Sequence, residues 1–412
     1  LARRATLRLA FTAFTVAQLV SIFGDRLLQF SVVGMIGRVA PGSSFELFQF
    51  ALFSNLPILI FAPLFGRLID RANRALVLVV VDFVRGLMVA VVPALYHLTG
   101  SLYAFYGTVF FLSLANLLFA PAKSAAIPEY FGRLRLMRIN AILWGLGIVG
   151  TIAGFIVGGW LFDYRSWELS FYSDAGSYIF SVVFLLPLLW LPRAKAPQPI
   201  ETAPEQPRPT GPLAGPAGSF REAVALIRSD RRVASGMVLQ TCLLGVFGVL
   251  YVAGIARIQE VLPAGKTMYL SAIAVSGTVG LLVGSALTEA TQGRIGLTRL
   301  VSASATILGI SMIGVSQSHS LPAFVVWAFF MGFFFSPIMV VSETLLQIHT
   351  PGHFRGRVFA AREVAVKVAF LATSLLATVS AAAIDKSIII LVTGVLLAVL
   401  GVWVERKNYL GV

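Results

Sequence analysis

Apolar residues fall along this chain in long blocks, unlike the i, i+3, i+4 stripes of helices that bury one face in a soluble core. The blocks run near 9–37, 45–69, 76–98, 102–127, 139–163, 169–192, 233–257, 267–290, 298–317, 321–347, 358–383 and 386–404. Each meets or approaches the roughly 20 residues a helix needs to cross a hydrocarbon core. The Gly and Pro scattered through them are tolerated in bilayer helices. The pattern predicts an all-α polytopic membrane protein with twelve transmembrane helices. The first block is too long and too lightly flanked for a cleaved signal peptide, and no small-residue cleavage site follows it.

The polar connections set the orientation. Alternate connections carry Arg3, Arg4 and Arg8, then Arg67, Arg71 and Arg74, then Arg133, Arg135 and Arg138. Later on the same side come Arg294 and Arg299, Arg355, Arg357 and Arg362, and finally Arg406 and Lys407. The opposite connections hold only Arg38, Arg165, Arg257, Lys266 and Lys386. Basic residues collect on the cytoplasmic side, so both termini are expected in the cytoplasm, and an even number of crossings follows. One connection differs from the rest. Pro197, Pro199, Pro204, Pro207, Pro209, Pro212 and Pro216 make it a semi-rigid linker. After it, Phe220, Val224 and Ile227 share one face of a short helix that Ser219 caps. This helix either lies on the lipid surface or connects to the bundle. The expected division is a six-helix bundle over 1–192, a cytoplasmic linker over 193–232 and a second six-helix bundle over 233–412.

Composition agrees with the pattern. The 412 residues are 58% hydrophobic and 12% charged, against about 25% charged in an average soluble domain. The net charge of +14 is spread between apolar blocks, so it marks cytoplasmic loops and attraction to anionic lipid; no nucleic-acid partner is expected. The lone Cys242 excludes an internal disulfide or a thiolate cluster, and no two histidines have metal-ligand spacing on one of the predicted helices. There is no G-x-x-x-x-G-K-[ST] loop, nucleophile elbow or paired-histidine zinc helix. The reading is therefore of a non-enzyme with no cofactor and no metal.

Two local motifs add a family resemblance. Gly66-Arg67-Leu68-Ile69-Asp70-Arg71-Ala72-Asn73-Arg74 follows the second block and resembles the signature loop of the major facilitator superfamily of secondary transporters. Gly150, Gly154, Gly158 and Gly159 in the fifth block resemble the antiporter motif of its drug-efflux branch, with Phe155 where that motif has proline. Ser21-Ile22-Phe23-Gly24-Asp25-Arg26, Phe119-Ala120-Pro121-Ala122-Lys123 and Arg355-Gly356-Arg357-Val358-Phe359 are similar to the bacterial macrolide-efflux, enterobactin-export and lysophospholipid-transport group. The resemblance implies two pseudo-symmetric six-helix bundles and a latch in which Asp70, beside Gly66, Arg71 and Arg74, faces the start of the eleventh helix at Arg357. It also implies a multi-pass protein of the cytoplasmic (inner) membrane, working as a monomer. The glycines leave one face of the fifth helix bare for close packing.

Ionisable residues at membrane depth cost several kcal/mol unless paired or hydrated, so each is a functional candidate. Asp25 and Arg26 lie past the middle of the first span. Asp82 and Arg85 at i, i+3, and Glu363 and Lys367 at i, i+4, are spaced for local ion pairs. Arg26 projects about 100° from Asp25 round the helix, so Asp25 needs another partner, water or a proton. Lys123, Glu289 and Glu343 are read as residues of cytoplasmic helix ends. The expected function is ion-coupled transport of a small amphiphilic solute by alternating access: multidrug-type efflux by an antiporter, driven by protons or sodium. Lysophospholipid flipping and a non-transporting sensor or scaffold are the alternatives.

Overall fold

The structure is a computed structural model. It describes residues 2–69, 73–131, 136–191, 225–227, 229–262, 266–351 and 355–406. Those residues are almost entirely helical, with no strand among them. Twelve helices are long and apolar enough to cross a membrane. They are α1 Ala2–Val39, α2 Ser44–Ile69, α3 Arg74–Thr99, α4 Tyr103–Phe131, α5 Leu136–Tyr164 and α6 Trp167–Leu185. A 3₁₀ turn, Leu186–Leu189, extends α6. After the linker come α7 Arg231–Val261, α8 Thr267–Ile295, α9 Leu297–Gln317, α10 Leu321–His349, α11 Arg355–Ser380 and α12 Lys386–Arg406. Within α7 the residues Leu250–Gly254 form a π turn.

Short polar segments punctuate the helices as their chemistry dictates. The Asn73 side chain accepts from Ala75 N and Leu76 N at the start of α3, and Gly100 closes that helix at φ 64°. Ser166 caps α6 through Leu169 N at 3.1 Å, and Asp230 caps α7 through Arg232 N at 2.8 Å. Pro93, Pro121, Pro128 and Pro337 sit inside helices. Such prolines are common in spans whose neighbours satisfy the freed carbonyls.

The chain divides into two compact units, 1–36 with 52–206 and 37–51 with 207–412. The segment Gly37–Ala51, expected with the N-terminal bundle, groups with the second unit. There Gly42 N donates to Gln259 Oε1 (3.3 Å) and Thr378 Oγ1 donates to the Ser44 carbonyl (3.4 Å). Of the expected linker helix, residues 219–224 and 228 lie outside the described residues. Residues 225–227 are helical, and Leu226 and Ile227 pack on a core of Val233, Met237, Leu346, Val358 and Ala361.

The polarity of α3 is inverted relative to a soluble helix. Val80, Phe83, Leu87 and Val91 are about half exposed, whereas Asp82 and Arg85 are 0% and 1% exposed. An apolar outside with charge within is what a hydrocarbon solvent selects.

Candidate functional site

In the N-terminal unit, α1, α3, α4 and α6 bring their charged residues together. Asp82 and Arg85 form the ion pair that their spacing predicts, at 3.2 Å. The second guanidinium nitrogen of Arg85 donates to Asn116 Oδ1 of α4 at 2.5 Å, and Ser181 of α6 donates to the other Asp82 oxygen at 2.7 Å. The guanidinium lies 4.5 Å from the centre of the Phe119 ring and 5.8 Å from that of Tyr178. A buried charge pair is stable only when its remaining donors and acceptors are satisfied. Here hydrogen bonds and ring faces largely do so.

Asp25 faces this pair from α1. Its Oδ1 accepts a 2.5 Å hydrogen bond from the phenol of Tyr178 on α6, and no basic side chain lies within ion-pair range of it among the described residues. Arg26 points elsewhere and donates to Gln29 Oε1 at 2.9 Å. Lys123 lies 6.0 Å from the Phe119 ring and interacts electrostatically with Asp25, Asp82 and Arg85. It therefore stands within α4 beside this cluster.

A third carboxyl, Asp174 of α6, is completely buried in the same unit. Ser177 Oγ approaches its Oδ1 at 3.4 Å, while its Oδ2 has no hydrogen-bond partner among the described residues. Sequence reasoning missed Asp174, Tyr178, Asn116 and Ser181. The signal was present in α6, where Ser170, Asp174, Ser177 and Ser181 recur at helical spacing within an apolar block.

Glycine makes this assembly possible. A Cβ on Gly24 would collide with Ser177 Oγ and Asp174 Oδ1, so the bare Cα lets α6 press its polar face onto α1. On another face of α1, a Cβ on Gly150 would lie 3.1 Å from the Leu19 carbonyl, on Gly154 2.6 Å from the Phe23 carbonyl, and on Gly158 3.4 Å from Leu27 Cα. The predicted bare face of α5 thus seats the helix that carries Asp25. Gly159 is buried beside it, and Phe155 packs on Phe30 with ring centres 4.5 Å apart.

In the second unit the expected Glu363–Lys367 pair is not made. Glu363 pairs with Arg362 at 3.3 Å, and Arg362 reaches Glu343 of α10 at 2.5 Å. Glu343 also accepts from Gln240 at 3.2 Å, which makes it part of a cross-helix network. Arg362 is drawn across to α10, and Glu363 follows its neighbour. Among the expected latch residues, Asp70 and Arg71 lie outside the described residues. Gly66 falls within α2, Arg357 in the first turn of α11, and Arg74 pairs with Glu129 at the end of α4.

Helices of bilayer length, apolar outside and enclosing ionisable groups, define a multi-pass membrane protein. The family profile of the Major Facilitator Superfamily matches residues 10–292, and the chain belongs to that superfamily of transporters. An uncharacterized MFS-type transporter of Bacillus subtilis (strain 168), YfiS, is 25% identical over 393 residues, covering 93% of this chain and 90% of its own. Among solved structures, a bacterial homologue of the iron transporter ferroportin in the inward-facing state matches with TM-score 0.72 and 14% identity, over 97% of this chain and 98% of that one. The nucleoside transporter NupG matches with TM-score 0.68 and 14% identity, over 96% and 98%. A bacterial homologue of the lysosomal transporter Spinster matches at 0.64 and 14%, over 98% and 94%. These likenesses show the fold.

Proposed function

We propose that this protein is a secondary active transporter that exports a small amphiphilic organic solute across the cytoplasmic membrane, with both termini inside, in exchange for protons. The observation that carries the reading is Asp25. Its carboxylate stands midway along α1 on a phenol hydrogen bond from Tyr178, beside an Arg85 already engaged by Asp82 and Asn116. An acid at this depth with no cation on it is held cheaply only when it takes up a proton or another positive species. Alternate loading of Asp25 would tie its occupancy to the conformational cycle. The outward direction rests on the resemblance of Ser21–Arg26, Phe119–Lys123 and Arg355–Phe359 to efflux proteins.

The test begins with a thermal-stability screen of drugs, siderophores and lysolipids, because a bound solute raises apparent melting by mass action. Flux of the selected compound is then followed in proteoliposomes with and without an imposed pH or sodium gradient. Proton-driven accumulation by the parent is expected. Asp25→Asn should lose it while keeping gradient-free exchange. Accumulation driven by sodium alone, or untouched in Asp25→Asn, would refute the assignment.

A further inference from the structure

The buried polar side chains of α6 lie on one face. Ser170, Asp174, Ser177 and Ser181 follow one another at four, three and four residues, and all are buried. The row is about 17 Å long at 1.5 Å per residue. At its Trp167 end, Ser170 donates to the Trp167 carbonyl at 2.6 Å and bonds Ser31 of α1 at 2.7 Å. In the middle stand Asp174, Ser177 and the Tyr178 phenol that holds Asp25. At the other end Ser181 bonds Asp82, whose partner Arg85 bonds Asn116, an exposed residue of this unit.

We propose that this face of α6 is a proton path to Asp25, with Asp174 as the group that binds and releases the proton along it. The inference rests on the coupling reading of Asp25 above. A row of serines alone would be explained by close helix packing. Asp174 is not, since a wholly buried carboxyl keeps one oxygen unbonded and faces the hydroxyl of Ser177. Ser177 Oγ stands 3.4 Å from Asp174 Oδ1, and the proposed path crosses the remaining steps, about one 5.4 Å turn each, through water. Each hydroxyl gives up one proton as it accepts another. Asp174 loses a proton, Asp25 gains one, and nothing else is transferred.

The charges that act on Asp174 are Asp25 on α1 and Arg85 on α3, with the Tyr178 phenol on α6 itself beside them. Asp163 stands at the far end of α5, and Glu168 in the first turn of α6 is paired with His97 at 3.3 Å. Asp25 is the nearest acceptor of the same kind, and Gly24 keeps the two carboxyls on adjoining turns of touching helices.

Infrared difference spectra of the full chain in liposomes, recorded as buffer pH is stepped, report protonated carboxyls by their carbonyl stretch. The expected result is a titrating band that is absent in Asp174→Asn and displaced in Ser177→Ala, which removes the hydroxyl beside the carboxyl. On transfer to heavy water, that band should exchange several-fold more slowly in Ser170→Ala. A spectrum unchanged in Asp174→Asn, or exchange equally fast in Ser170→Ala, overturns the proposal. If Asp174→Asn does not assemble, the Ser177→Ala spectrum decides, and an undisplaced band overturns it. The spectra need no solute, so the outcomes separate. Proton-driven flux with no Asp174 band defeats this path alone, whereas a titrating band with gradient-independent flux defeats the coupling reading alone.

Discussion

Removing Arg85 is the sharpest perturbation the structure offers. In Arg85→Met the volume is roughly kept, but Asp82, 0% exposed, is left with the Ser181 hydroxyl as its one remaining hydrogen-bonding side chain. Removing one partner of a buried ion pair typically costs about 3–5 kcal/mol, because an uncompensated charge stays in low dielectric. Asp82→Leu is expected to cost less. Arg85 then keeps Asn116 at 2.5 Å and the faces of Phe119 and Tyr178, and cation–π contacts contribute about 0.5–2 kcal/mol. Asp82→Leu with Arg85→Met removes both charges, and apolar replacement of a buried pair is often neutral or better. The double variant should therefore be more stable than Arg85→Met by about 2 kcal/mol or more. Reversible denaturation in mixed micelles, run as a double-mutant cycle, measures this coupling. Additivity within about 0.5 kcal/mol would refute the claim that the two side chains compensate each other.

Other expectations test the packing, the latch and a cap. Gly154→Val places a Cβ 2.6 Å from the Phe23 carbonyl, and overpacking of this kind costs about 1–3 kcal/mol. Gly107→Ala, with open space around its Cβ, should leave melting unchanged; equal effects of the two would argue against α5 seating α1 closely. Asp70→Asn should preserve solute binding and reduce transport if Asp70 latches onto the start of α11, and parental flux would dispose of the latch. Asp385 accepts from Ser387 N at 2.7 Å and from the Ser387 hydroxyl, which hold its carboxyl below the usual range. The stabilisation it gives the start of α12 is therefore complete above the ordinary aspartate pKa and lost as pH falls through the lowered one. Asp385→Ala should cost up to ~1 kcal/mol at neutral pH and nothing in strong acid, as melting curves at the two pH values would reveal.

The twelve spans were legible because a bilayer demands long apolar blocks whatever their neighbours. The Asp82–Arg85 pair was legible because it closes within one turn of one helix. Glu363–Lys367 has equally good spacing and does not form, since Glu343 on another helix captures Arg362 and the local geometry yields to it. The Asp25–Tyr178 bond depends on α1 meeting α6, and that meeting depends on Gly24. Nothing in the local run around Asp25 announces it. Asp174 was within reach by the rule that flagged Asp25, but its significance emerges only when its neighbours are seen to leave one oxygen unbonded.

The wide turn at Leu250–Gly254 divides α7 into two lengths that no longer share one angular phase. A π turn accommodates one residue beyond the regular winding, and each residue of an α-helix advances the direction by about 100°. Rewinding that turn into a uniform coil with every residue kept would swing everything from Ile255 onward by about that angle. Arg257, now against the Ser316 carbonyl, and Glu260, now paired with Lys386, would both lose their partners at a stroke. The aim of that end of the helix is thus set by the winding of one turn.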